Sequence, residues 1–135
     1  MGLTGRSLPR RAKIKGFKIK DKDLEKRTFE FAVTILDIID QLPNSAGAKN
    51  VAFQLAKSGT SVGANYEESQ ASQSKEDFYY KIGICLREAR ESNYWLRIIE
   101  RKNWINKKDF MKTMVQESFE LTLIFGKIYS GRPQK

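Results

Sequence analysis

Few side chains in this sequence could carry a reaction. Close carboxylate pairs include Glu67-Glu68 and Glu88 with Glu91, and the one cysteine is Cys85. Two carboxyls do acid–base work when a shaped pocket drives their pKa values apart. Adjacent Glu67 and Glu68 would leave a helix in different directions, and Glu88 and Glu91 have Arg87 and Arg90 beside them. Both groups therefore read as solvated or ion-paired surface. The chain has no histidine. A histidine base, a Cys/His zinc site and the Glu-x-x-His pairs of a helical di-iron centre are thereby excluded. Cys85 lies on an apolar helical stripe with no histidine to activate it, which makes it a packing residue. No phosphate-binding glycine loop, dinucleotide fingerprint or nucleophile elbow occurs. The expectation is a protein that is not an enzyme, with no catalytic residue, no metal and no cofactor.

The second chemistry on offer is that of fixed positive charge. Arg6, Arg10, Arg11, Lys13, Lys15, Lys18 and Lys20 fall within residues 1–20, which contain no acid, so this segment carries +7 of the formal +9. The remaining 115 residues hold 18 basic and 16 acidic side chains, or +2. Gly2, Gly5, Pro9 and Gly16 oppose a stable helix, and the composition predicts disorder through about residue 15. Such an arm binds polyanions by releasing counterions, with an affinity that falls steeply with salt. These seven cations are the candidate nucleic-acid contacts. Ile14, Phe17 and Ile19 form too small an apolar face for a membrane-surface helix. No apolar segment follows Arg10-Arg11 and no run approaches the ~18 apolar residues of a spanning helix, so the expectation is a cytoplasmic protein without a membrane partner.

Four segments with helical period must position whatever the chain does. In the first, roughly residues 22–41, Leu24, Phe31, Ile35, Ile38 and Leu42 follow a 3/4 spacing, with Asp21 or Asp23 as the cap and Leu42-Pro43 as the stop. In the second, about 45–69, Val51, Leu55, Val62 and Tyr66 mark the apolar side beside a ridge of Ala48, Ala52, Ala56, Gly59 and Gly63. Glycine costs a helix about 1 kcal/mol against alanine, so this ridge reads as a packing seam for a close neighbour. In the third, Phe78, Ile82, Cys85, Ala89, Ser92, Leu96 and Ile99 repeat at heptad spacing behind a Ser74–Asp77 capping box, and Arg87 can pair with Glu91. The fourth starts at Asn106, with Asp109 in the same capping role, and carries Met111, Met114, Ser118, Leu121, Phe125 and Ile128. Helices of ~30 Å joined by short links fold back on one another. The prediction is all-α: an antiparallel up-down-up-down four-helix bundle over residues 21–131, with a disordered basic N-terminal arm over 1–20.

One bundle needs one apolar stripe per helix, and this chain has more. The first and fourth helices are apolar on two sides, and the third carries Tyr79, Ile84, Trp95 and Ile98 away from its seam. Trp95 and Ile98 are the candidate interface with further copies of the chain. Asn65, beside Tyr66, reads as a register-setting asparagine on the edge of the apolar face.

Leu55-Ala56-Lys57-Ser58-Gly59-Thr60-Ser61-Val62-Gly63-Ala64-Asn65-Tyr66-Glu67-Glu68 and Cys85-Leu86-Arg87-Glu88-Ala89-Arg90-Glu91-Ser92-Asn93-Tyr94-Trp95-Leu96, with Phe31-Ala32 in the first helix, resemble the family called four helix bundle protein. It is also known as the large-subunit (23S) rRNA intervening-sequence protein family, and the accessory variability determinant of diversity-generating retroelements is a relative. The likeness covers about residues 24–130. Ser61, Val62, Asn65 and Glu68 stand at its signature positions on the second helix, and Glu91, Tyr94 and Leu96 on the third; Ser69 replaces a smaller residue after the Asn-x-x-Glu. The resemblance implies a small bacterial bundle that assembles as a ring-shaped homopentamer and has no attached enzymatic activity. It also implies a relative that binds nucleic acid beside a reverse transcriptase.

Two functional expectations follow. The first is a non-enzymatic oligomeric helical accessory protein that binds RNA or DNA phosphate without sequence specificity, since nothing resembles a helix that reads base edges. Five arms of +7 would bring +35 together in a pentamer, enough for avidity from weak single contacts. The second is an assembly or adaptor bundle whose partner is another protein, a reverse transcriptase among the candidates, with no nucleic-acid role.

Overall fold

The computed structural model describes the backbone of residues 21–134 and the side chains of residues 24–134. The seven cations and the disorder predicted for residues 1–20 lie outside the described residues, as do the side chains of Asp21 and Asp23. Four helices make up the fold: α1 (Asp21–Asp40), α2 (Ala46–Ser69), α3 (Lys75–Lys102) and α4 (Lys108–Tyr129). Among the described residues there is no strand. Each helix packs on the next in sequence, in the up-down-up-down order the short links impose.

The stripes read from the sequence meet in the middle. Phe31, Ile35 and Ile38 of α1, Leu55, Val62 and Tyr66 of α2, Ile82, Cys85, Leu96 and Ile99 of α3, and Met111, Leu121, Phe125 and Ile128 of α4 form one buried cluster. The Tyr66 and Phe125 rings meet edge to face at 5.8 Å, a contact from α2 across to α4. The small-residue ridge of α2 faces α1. A methyl group at Gly59 would stand 2.8 Å from Cγ1 and Cγ2 of Ile35, and one at Gly63 would stand 3.1 Å from the Thr28 carbonyl oxygen. A side chain at Gly59 would force Ile35 to move, and one at Gly63 would press tightly on Thr28. Ser58 on the other flank of α2 accepts a hydrogen bond from Ser92 Oγ at 2.9 Å, which joins the narrow waist of α3 to α2.

The helix ends follow local chemistry with one exception. Ser45 Oγ accepts from the amide of Ala48 at 3.2 Å, and Ser74 Oγ accepts from the amide of Asp77 at 3.0 Å. Asn103 closes α3 in the left-handed region, φ 58°, a conformation asparagine tolerates. The predicted Asn106 cap does not form: α4 starts at Lys108, its cap position is Lys107, and no side chain bonds there. The cap thus falls one residue later than predicted, just beyond the buried Ile105.

The α1–α4 side of the bundle is built differently. No Cα atom of α1 comes within 8 Å of one in α4 among the described residues. Long side chains span the gap instead. Arg27 donates through Nε and Nη2 to the two carboxylate oxygens of Glu117 at 2.7 and 2.8 Å, and through Nη2 to Glu120 at 2.6 Å. This forked geometry, half shielded from solvent, holds the guanidinium firmly in its charged form.

Candidate nucleic-acid interface

Of the four carboxylates weighed as catalysts, Glu68 and Glu91 have side-chain partners within the fold, and Glu67 is exposed. Glu68 is exposed and pairs with Lys81 Nζ at 2.9 Å, which lowers its pKa. Glu88 is half-buried, and desolvation, with the neighbouring charge of Glu91, raises its pKa while Arg87 and Lys57 oppose the shift. Glu91 accepts a hydrogen bond from the indole N–H of Trp95 at 3.0 Å. The predicted Arg87–Glu91 ion pair is absent, because Glu91 turns along its own helix toward Trp95. Burial pushes the Cys85 thiol far up, and its Sγ donates to the Val62 carbonyl across the α2–α3 seam. Among the described residues, no group of three or more Cys, Asp or Glu side chains is arranged to hold a metal.

The signature residues divide between core and flank. Val62 and Leu96 are fully buried. Ser61 and Asn65 are half-buried, Glu68 is exposed and Glu91 is half-buried, all on the flank where α2 meets α3. Asn65 donates its amide to the Ser61 carbonyl at 2.9 Å, within its own helix. That bond corrects the register-setting role read from sequence: the asparagine spends its donor one turn back and not on a neighbouring helix. Trp95 and Ile98, the candidate interface residues, lie at the edge of the core. Both are half-buried and pack against the core cluster, because a large side chain leans back over its own helix. The exposed apolar surface lies elsewhere, at Phe29, Val33, Leu36, Phe53, Tyr80, Tyr94, Phe119 and Leu123.

What the sequence reading missed is an arrangement of charge inside the folded body. Residues 21–70 hold 5 basic and 8 acidic side chains, or −3, whereas residues 71–135 hold 13 basic and 8 acidic, or +5. The body total of +2 conceals this difference. On α3, Arg87, Arg90, Arg97 and Arg101 are exposed, with exposed Tyr94 in their midst. Their spacing of three, seven and four residues keeps them on one side of a helix that turns about 100° per residue. That side adjoins α4, as the bond from Asn93 Nδ2 to Ser118 Oγ at 3.0 Å and the contact of Gly83 with Tyr129 establish. The outward side of α4 adds Lys108, Lys112, Phe119 and Leu123, all exposed. Of the acids of α3 between Arg87 and Arg101, Glu88 feels the charge of Lys57 on α2, Glu91 accepts from Trp95, and both, like Glu100, are half-buried whereas the four arginines are exposed. Among the described residues, only Arg27 and Lys81 have an ion-pair partner within 4 Å; of these six cations Arg87 still feels the charge of Glu88 on its own helix.

One of the six is held in place. Asn93, which donates to the Val115 carbonyl and Ser118 Oγ of α4, accepts at its Oδ1 from Arg97 Nε at 2.9 Å. The Arg97 guanidinium thereby sits 5.7 Å from the centroid of the Tyr94 ring. Tyr94 in turn meets Trp95 edge to face at 5.0 Å.

Residues 20–124 match the sequence profile described as 23S rRNA-intervening sequence protein. The chain belongs to that family. Its fold agrees with a solved structure, a protein of unknown function from the S23 ribosomal protein family of Bacteroides thetaiotaomicron VPI-5482. The two are 32% identical with a TM-score of 0.70, over 78% of this chain and 96% of that one. Among curated proteins, none matches this family member. No helix among the described residues is long and apolar enough to cross a membrane.

Proposed function

We propose that this 23S rRNA-intervening sequence family protein is a non-enzymatic, self-associating accessory bundle of the cytoplasm. It holds RNA or DNA by the phosphate backbone without reading sequence, through Arg6, Arg10, Arg11, Lys13, Lys15, Lys18 and Lys20. The observation that carries this reading is the separation of charge: an acid-free segment of +7 precedes a body whose second half is +5 and whose first half is −3. A polyanion is the ligand for which such a distribution is useful. The family name, which ties these proteins to segments interrupting 23S rRNA, is in keeping with an RNA partner. Of the groups that could have carried catalysis, Glu68 is ion-paired, Glu91 is bonded to Trp95 and Cys85 is buried, which supports a binding role over an enzymatic one.

Self-association, as a homopentamer in the form the family resemblance implies, would gather several arms on one particle and convert weak contacts into avidity. A protein partner such as a reverse transcriptase is the second reading. It is favoured by the exposed row of Phe29, Val33 and Leu36 along α1, an apolar surface outside the cationic region.

The discriminating experiment compares the full chain with a full-length variant in which all seven arm cations are glutamine. Binding to a labelled duplex is followed across a salt series. The proposal expects salt-steep binding whose slope shrinks by roughly 0.9 for each phosphate contact removed. Equal affinity and slope for the two proteins would refute the role of the arm. Light scattering in the same buffer expects a mass several times that of one chain, and a monomer would refute self-association.

A further inference from the structure

The cationic side of α3 and α4 has a composition that phosphate binding alone does not account for. Arg87 and Arg101 are 14 positions apart, about 21 Å along the helix, with Arg90 and Arg97 between them. In the middle of this row Tyr94 is 50% exposed, and on the adjoining helix Phe119 is 48% exposed. A duplex presents its phosphates outward and keeps its bases stacked inside, so it would meet the cations and leave both rings uncovered. A single strand offers backbone charge and free base faces together. Proteins that hold single strands combine a positive track with aromatic rings on which successive bases stack. Arginine suits such a place, because its guanidinium both pairs with phosphate and lies flat on rings.

We infer that the outer surface of α3 and α4 is a track for single-stranded RNA or DNA, with Arg87, Arg90, Arg97 and Arg101 on the phosphates and Tyr94 and Phe119 under the bases. This rests on the nucleic-acid reading above and gives the folded body a part in it separate from that of the arm. Arg97 is the best prepared of the four. The relay from Ser118 through Asn93 to its Nε fixes the side chain beside Tyr94 and leaves its other guanidinium nitrogens without a bond among the described residues. Lys108 and Lys112 extend the cationic surface onto α4, where the exposed Asp109 stands between them. The two sugars share the chemistry used here, so both belong in the test.

The test is fluorescence anisotropy with labelled oligouridylate and oligothymidylate of about 12 nucleotides, a length within the range such tracks occupy. A blunt duplex of equal length is the comparison. Four full-length variants are measured beside the wild type: Arg90→Gln/Arg97→Gln/Arg101→Gln, Tyr94→Leu, Tyr94→Phe and the arm with all seven cations changed to glutamine. All altered positions on α3 are exposed, and thermal melts verify that the helices are intact. The triple variant is expected to bind single strands about tenfold more weakly or worse, with the salt slope reduced by about 2. Tyr94→Leu is expected to lose about fivefold or more, whereas Tyr94→Phe keeps the ring and the affinity. Wild-type affinity and slope in the triple variant would overturn the track, as would tighter binding of the duplex than of either single strand. A wild type that binds none of the three at low salt would overturn the accessory reading itself. Binding abolished by the arm variant and untouched by the α3 variants would leave that reading standing and remove only the track.

Discussion

Two glycines of the same helix should respond to the same substitution with opposite sign. Gly47 and Gly59 both lie in α2, where replacing glycine by alanine stabilises a helix by about 1 kcal/mol in the interior and by less near an end. At Gly47 an added methyl meets nothing within 4 Å, so Gly47→Ala should raise stability by about 0.5 kcal/mol. At Gly59 the same methyl falls 2.8 Å from both Cγ atoms of Ile35 and 3.2 Å from its Cβ. Ile35 is completely buried and branched at Cβ, so it has no free rotamer to retreat to, and α1 itself must shift. Overpacking of this kind costs about 1–3 kcal/mol, which outweighs the gain in helix propensity. Gly59→Ala should therefore destabilise by roughly 1–2 kcal/mol, and Gly59→Leu by more. Urea unfolding measures both changes, and thermal scans should show them as shifts of roughly 4 °C per kcal/mol. Stabilisation by Gly59→Ala would mean that the α1–α2 seam is not closely packed, and the assignment of the small-residue ridge would fail.

Three further outcomes follow from the side chains. Arg27→Ala removes the forked bridge to Glu117 and Glu120, the connection between α1 and α4 across their wide side, and should lower stability by about 1–2 kcal/mol in urea unfolding. Glu88 has a folded-state pKa raised by burial, so its ionised form weakens the fold at neutral pH, and this loss is relieved as pH falls through the raised value. Glu88→Gln should accordingly be more stable than wild type at pH 7–8, with the difference closing on acidification; a difference that widens would contradict the burial argument. Cys85, buried and with its thiol pKa raised, should stay unmodified by a thiol reagent at pH 8 and react only when urea unfolds the bundle.

The core was legible in the sequence because one physical cause produces both the pattern and the burial. A helix puts every third and fourth residue on one side, so Ile82, Cys85, Ala89, Ser92, Leu96 and Ile99 are adjacent in the pattern and buried in the bundle. The glycines of α2 were readable for a related reason, since a costly residue in a helix implies a neighbour that needs the space. Features that depend on which helices meet were not readable. The Arg27 bridge joins residues 90 positions apart, and nothing local to Arg27 or Glu117 announces it. The start of α4 falls at Lys108 without a side-chain cap, next to the buried Ile105, and the local capping sequence from Asn106 does not show that burial. The helical phase of Trp95 and Ile98 points away from the seam, and phase does not tell how much of each side chain rests on the core.

The cationic surface is the instructive omission. The residues of its α3 row have helical spacing as plain as that of the heptad seam. Averaging over the body, where α1 is acidic, reduced it to a total of +2. Charge, like apolarity, has to be read by side and not by sum.

The most direct test of the account is the affinity of the full chain for several unrelated RNA and DNA sequences, measured between about 50 and 200 mM salt. The account predicts that all are bound about equally well and that the logarithm of affinity falls linearly and steeply with the logarithm of salt concentration. Absence of binding at the lowest salt, or an affinity indifferent to salt, would contradict it.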